Sequence, residues 1–151
     1  MGRGYDLMKL STRCRYGTRA MLEMARYYKK GPVKRRDIAL SQGISSDYLE
    51  NILIALKSGN LIRTVRGAKG GFMLETAPEK ISMYQILTAL EGSLAPIQCV
   101  EEGEGCCGTG HCIARKFWLD FHEMQVKALK GTSLQTLLDL ESAGNEYDYS
   151  I

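Results

Sequence analysis

Residues 34–53, Lys34-Arg35-Arg36-Asp37-Ile38-Ala39-Leu40-Ser41-Gln42-Gly43-Ile44-Ser45-Ser46-Asp47-Tyr48-Leu49-Glu50-Asn51-Ile52-Leu53, read as two short helices around a tight turn. Ile38 and Ala39 give the first, over 34–41, its apolar side. Gln42-Gly43-Ile44-Ser45 is a turn by residue type, because glycine reaches backbone conformations closed to other residues. Ser45 or Ser46 can accept from the free N–H groups of the next helix, which runs to about Lys57. Tyr48, Leu49, Ile52, Leu53 and Leu56 recur at helical spacing and form its buried stripe. Ser58-Gly59-Asn60 ends it. Two extended runs follow, 61–65 and 72–74, joined by Arg66-Gly67-Ala68-Lys69-Gly70-Gly71. A glycine-rich basic tip between two such runs predicts a β-hairpin. Helix, turn, helix and hairpin in this order make a winged helix-turn-helix.

Upstream, 11–29 reads as a helix capped by Ser11 or Thr12, with Ala20, Met21, Met24, Ala25 and Tyr28 at helical spacing; Gly31-Pro32 breaks it. Downstream, Ser82 and Gln85 form a capping box for a helix over 83–91, with Ile81 and Ile86 as its hydrophobic staple. A long amphipathic helix runs from 113 to about Lys130, with Ile113, Phe117, Phe121, Met124 and Ala128 on one face. A last short helix carries Leu134, Leu137, Leu138 and Leu140, and 142–151 reads as a flexible tail. The fold class is mainly α with a small β-hairpin wing.

Between the helices at 83–91 and 113–130 lies Cys99-Val-Glu-Glu-Gly-Glu-Gly-Cys106-Cys107-Gly-Thr-Gly-His111-Cys112, which holds four of the five cysteines in fourteen residues. Thiolates are soft ligands for iron, zinc or copper(I). A glycine-rich loop with no apolar content of its own needs something to wrap around, and a metal or iron–sulfur cluster fits best. A Cys₃His set is also an ordinary zinc set, and redox thiols are a third reading. The N-terminus has no apolar signal core and no run is long enough to span a membrane, so a cytoplasmic protein is expected, in which a disulfide framework is disfavoured.

The net charge of +3 conceals an asymmetry. Residues 1–91 hold 16 Lys and Arg against 8 Asp and Glu, and residues 92–151 hold 4 against 9. The basic first half suits a polyanion. In a winged helix, the second helix of the pair enters the DNA major groove. Its exposed first-turn residues here are Ser45, Ser46, Asp47, Glu50 and Asn51. Glu50 can accept from a cytosine amino group and Asn51 can pair with an adenine edge. Arg66 and Lys69 on the wing can reach the minor groove or phosphates, and Lys34, Arg35 and Arg36 read as phosphate contacts. Against this, Asp47 and Glu50 also complement the helix dipole, and some three-helix units bind protein instead. An electron-transfer or cluster-carrier protein, docking an acidic partner on the basic surface, is a further alternative. No nucleophile–base pair suggests an enzyme.

Met8-Lys-Leu-Ser-Thr-Arg-Cys-Arg-Tyr-Gly17, Gly31-Pro32-Val33, Asp37-Ile38-Ala39, Gln42-Gly43-Ile44-Ser45, Tyr48-Leu49-Glu50, Gly59-Asn60-Leu61-Ile62, Val65-Arg66-Gly67 and Gly70-Gly71-Phe72 resemble, collinearly, the IscR/NsrR/CymR family of bacterial winged-helix regulators. The resemblance covers about 8–140, and residues 1–7 precede the family's usual start. It implies a homodimer on a palindromic operator in double-stranded DNA, with the long helix crossing its partner. It puts Tyr16, Ser45, Asp47, Glu50, Asn51 and Arg66 on DNA-contact positions. The implied organisation is a DNA-binding domain at 8–80, a linker helix and loop start at 81–98, a cluster loop at 99–112 and dimerisation and C-terminal helices at 113–141.

The three cysteines Cys99, Cys106 and Cys112 are similar to those of the iron–sulfur members, and IscR-like proteins bind a two-iron two-sulfur cluster. Cys106 to Cys112 keeps the family's five intervening residues, and Cys99 to Cys106 has six. The histidine that IscR-like members use as fourth ligand is replaced by Arg115, and the acidic residue that NsrR-like members use is replaced by Arg15. Neither guanidinium can ligate a metal. His111 is the expected fourth ligand, with Cys107, Lys116, Glu101, Glu102, Glu104 or an external ligand as alternatives. The function implied is control of iron–sulfur cluster biogenesis genes through the cluster. The alternative is the same regulator with a zinc or thiol loop that senses oxidation or sulfur metabolism.

Overall fold

A computed structural model describes residues 10–101 and 112–144. Helix α1 spans Thr12–Arg26, α2 Arg35–Gln42 and α3 Ser46–Ser58. Strands β1, Ile62–Val65, and β2, Gly71–Leu74, form the antiparallel wing, with Ile62 opposite Leu74 and Val65 opposite Gly71. A 3₁₀ turn at Pro78–Lys80 leads to α4, Met83–Glu91. The remaining helices are α5, Gln98–Glu101; α6, Ile113–Gly131; and α7, Leu134–Gly144. The chain is thus mostly helical with one small hairpin, as its sequence predicts. No described helix is long and apolar enough to cross a membrane.

Local chemistry sets most boundaries. Ser45 caps α3 by accepting from the Tyr48 N–H, and Ser82 and Gln85 complete the capping box of α4. Gly43 closes α2 at φ 63°, a left-handed conformation that glycine adopts without strain. This turn angles α2 against α3. Leu49, Ile52, Leu53 and Leu56 of α3 are buried against Met21 and Met24 of α1, Ile38 of α2 and Ile86 and Leu90 of α4. Each such side chain contributes roughly 1.5–3 kcal/mol when removed from water. No polar or charged residue is buried among the described residues. The wing is pinned along β2. Val33 N–H donates to the Phe72 carbonyl at 2.9 Å, and Phe72 N–H to the Val33 carbonyl at 2.8 Å, so the segment before α2 adds an antiparallel bridge to β2.

The second half folds back on the first. Met83 N–H donates to the Thr132 carbonyl and Leu134 N–H to the Ile81 carbonyl, both at 2.8 Å. Arg26 of α1 pairs with Glu141 of α7 at 2.5 Å.

Three expectations need adjustment. Helix α1 stops at Arg26 rather than 29, because Tyr27–Lys30 forms a turn in which Lys29 takes φ 67°. Helix α7 continues through Gly144, into the segment read as tail. Short α5 was not foreseen. On α6, Ile113, Phe117 and Met124 are exposed, and half-buried Phe121 stacks on Phe117 at 6.4 Å between ring centroids, so the two rings share the face expected of them, with Trp118 edge-on to both.

Candidate nucleic-acid interface and cysteine loop

The first turns of α3 present Ser45, Ser46, Asp47, Glu50 and Asn51, all exposed. They share a surface because the opposite side of the helix carries Leu49, Ile52 and Leu53 into the core. Asp47 lies in the first turn, where the helix dipole favours an acid. Glu50 is paired: its Oε2 lies 2.9 Å from Nη1 of Arg35 on α2. Arg35, expected as a phosphate contact, is therefore engaged with α3. Lys34, at the N-cap of α2, and Arg36 are exposed, as are Arg66 and Lys69 between β1 and β2.

Tyr16 of α1 lies edge-on to Tyr48 of α3, with ring centroids 6.0 Å apart. The guanidiniums of Arg15 and Arg19 stand 5.0 Å and 5.6 Å from the Tyr16 ring centre, a cation–π arrangement. Arg19 Nε also donates to Oε1 of Gln42 at 2.7 Å, and its Nη2 to the Gln42 carbonyl at 3.3 Å, so it ties α1 to the end of α2. Sequence reasoning found Tyr16 only through the resemblance and missed Arg19. No local signal links positions 19 and 42.

The loop is described at its two ends. Cys99 sits on α5, and Cys112 is the N-cap residue of α6; both are half-buried. Helix α5 packs on α6. Arg115, in the first turn of α6, donates its Nε to the Cys99 carbonyl at 3.1 Å. The side chain at the position of the IscR-like histidine ligand thus clamps the two ends of the loop together. Cys14, Cys99 and Cys112 form no disulfide among the described residues. Cys106, Cys107 and His111 lie outside the described residues, as do Glu102 and Glu104. Among the described residues no group of three or more His, Cys, Asp or Glu side chains is placed to hold a metal. Cys99 and Cys112 are of the soft donor type that a thiolate-ligated group takes. Cys14 stands apart in α1, 2% exposed; burial first, then a hydrogen bond with Glu91, pushes its thiol up to about 12. At neutral pH it is a small apolar core residue.

The profile of the Rrf2 family, described as iron-dependent transcriptional regulator, matches residues 10–140. The chain is 37% identical over 131 residues to Protein rrf2 of Nitratidesulfovibrio vulgaris, covering 87% of this chain and 87% of that protein. It is 35% identical over 131 residues to the HTH-type transcriptional regulator IscR of Aliivibrio salmonicida, covering 87% and 77%. The solved structure of CymR (YrzC), the global cysteine regulator of B. subtilis, superimposes with a TM-score of 0.76 at 29% identity, covering 87% of this chain and 97% of that one. IscR and CymR are named as regulators, not enzymes. With a winged helix-turn-helix, and a match running from before α1 into α7, the chain belongs to the Rrf2 family of DNA-binding transcriptional regulators.

Proposed function

We propose that this regulator is a homodimer whose affinity for a palindromic operator is set by an iron–sulfur cluster, of two-iron two-sulfur type, and that it governs genes for cluster assembly. The observation that carries the reading is the cysteine loop: four cysteines in fourteen residues, with Cys99 and Cys112 at ends joined by the α5–α6 packing and the Arg115 clamp. Cys99, Cys106 and Cys112 would hold the cluster, with His111 as fourth ligand and Cys107 as the alternative. The cluster, when bound, would supply redox and ligand-exchange chemistry that answers to the cell's cluster supply. The protein's own residues do the rest. Ser45, Asp47, Glu50 and Asn51 meet base edges, Arg66 and Lys69 follow the adjacent backbone, and Tyr16 with Lys34 and Arg36 meets phosphates. The outer stripe of α6, with Ile113 83%, Phe117 60% and Met124 63% exposed, supports a partner helix there.

The relatives also support a second reading. CymR of B. subtilis, whose structure superimposes closely, is described as a cysteine regulator. By that likeness, the loop would be a zinc or thiol switch sensing oxidation or sulfur metabolites on the same DNA-binding frame.

The visible spectrum of anaerobically purified protein, with iron, acid-labile sulfide and zinc assayed on the same sample, separates the two. Brown protein with matched iron and sulfide, lost on replacing Cys99, Cys106 or Cys112 by alanine, supports the cluster. Colourless protein with about one zinc per chain, or with no metal after reconstitution, overturns it in favour of the second reading.

A further inference from the structure

Arg35 is the first residue of α2, and Glu50 stands just inside α3. A guanidinium at a helix N-terminus meets the positive end of the helix dipole. Arg35 turns away from that end and crosses to α3, where Nη1 lies 2.9 Å from Oε2 of Glu50. The pair lines a cleft of about 180 Å³ between α2, α3 and the wing, with Leu53 and Phe72 in its apolar wall and Lys57 on α3 beyond. Glu50 keeps 54% of its side chain exposed, on the same surface as Asp47 and Asn51, so the bridge leaves it open to an incoming donor.

A lone glutamate on a helix surface has two problems in a major groove. Its long side chain samples several rotamers, of which one suits a given base edge, and its charge is repelled by the phosphates on either side. A guanidinium anchored on a neighbouring helix answers both, because its Nη1–Oε2 ion pair narrows the rotamers open to the carboxylate and offsets its charge.

We infer that Arg35 is a specificity-determining residue that acts through Glu50: it holds the Glu50 carboxylate in the orientation that reads one base pair of the operator. This rests on the DNA-binding reading above and replaces the expectation that Arg35 is a phosphate contact. The two roles differ in what they leave behind. Loss of a phosphate contact weakens binding to every sequence alike and lowers the salt slope by about one. Loss of a positioning residue flattens the preference at one base pair.

The full-length protein and the variants R35A, R35K, E50A and R35A/E50A are each used to enrich a randomised duplex pool. Affinities are then measured for the wild-type consensus duplex and its single-base-pair variants. R35A and E50A are expected to flatten preference at the same base pair, by roughly 5- to 150-fold, the range of one good side-chain–base contact. The double variant should flatten it no further, and R35K should restore part of it. Uniform loss of affinity with R35A, additive with E50A, would overturn the assignment, as would an E50A variant with every base preference intact. A wild-type protein that enriches no sequence would overturn the DNA-binding reading itself, and the assignment with it.

Discussion

Replacing Gly71 by alanine tests whether the wing is held by the segment before α2. A Cβ at Gly71 would lie 2.4 Å from the Val33 carbonyl oxygen, 2.6 Å from the Val33 carbonyl carbon and 3.0 Å from the Lys34 nitrogen. All three are backbone atoms, so no side-chain rotation relieves the contact. Gly71 is not in the left-handed region, so alanine fits its own backbone and the whole penalty comes from the neighbour. Reaching ordinary contact distance requires Val33 and Lys34 to withdraw by about 1 Å. That breaks the pair of Val33–Phe72 hydrogen bonds, at 2.9 and 2.8 Å. Two backbone bonds at a net 0.5–1.5 kcal/mol each give about 1–3 kcal/mol. Uncovering part of Val33, 6% exposed, raises the expected loss to about 2–4 kcal/mol. The assay is urea unfolding of wild type and G71A, read as a lower midpoint at unchanged slope. Gly131, with nothing within 4 Å of its missing Cβ, is the control, and G131A should unfold no earlier than wild type. A G71A midpoint within about 0.5 kcal/mol of wild type would refute the reasoning, since surface changes away from such contacts have effects of that size.

Three other outcomes follow from the same geometry. In cluster-free native protein, iodoacetamide should modify Cys99 and Cys112 while sparing Cys14, whose thiol is buried and pushed up to about 12; equal labelling by mass spectrometry would show that the α1–α4 seam is open. Glu91 accepts from Ser11 N–H at 3.1 Å and from the Ser11 hydroxyl, and these bonds hold its carboxyl below the usual range. Its contribution to stability is full above the ordinary glutamate value near 4.3 and is lost as pH falls through its lower folded value. E91Q should therefore flatten the acid limb of a stability–pH curve, and an unchanged limb would refute the role. F117D and M124D place charge on the exposed stripe of α6, and, if the protein is the proposed homodimer, sedimentation should show both variants monomeric with helical content intact; retention of a dimer in both would remove the stripe as the interface.

What the sequence made legible is what local chemistry decides. Ser45, and Ser82 with Gln85, announce helix starts because the cap and its partner are three residues apart. The stripe of α3 is legible because packing repeats with the helix. Four contacts that organise the site were not: Arg35 to Glu50, Arg19 to Gln42, Ser11 to Glu91 and Val33 to Phe72. Each joins side chains or strands far apart in the chain, and many other positions along the chain would have offered a charge or a backbone group equally well. The residues proposed to face DNA came from the resemblance and from residue type together, whereas the cysteines stood out by spacing alone.

The packing also restricts how the cysteine loop could act on DNA. Gly17 of α1 admits Leu90 of α4 so closely that a Cβ there would meet its Cδ1 at 2.3 Å, and Gly59 at the end of α3 admits Ala89. Helix α4 is thus seated against both α1 and the recognition helix. Its last residue, Glu91, is fastened to the N-cap of α1. The far end of α6 and the start of α7 are fastened as well, through Thr132 to Met83 and Leu134 to Ile81. A close-packed interior does not bend continuously. A change in the loop therefore has little room to reshape the winged unit, whose helices would move as one body. Outside that unit, Gly92 ends α4 at φ 82°, and Arg115 in the first turn of α6 holds Cys99. That helix carries Phe117 on the stripe proposed to face the partner. If the loop controls a dimer as proposed, it would do so by resetting how two rigid winged units are spaced, and little within either of them. An arginine-to-alanine change at 115 would accordingly alter the salt-stable affinity for a two-half-site duplex while leaving affinity for a single half-site as it was. An equal loss on both duplexes would place the switch inside the winged unit and refute the argument.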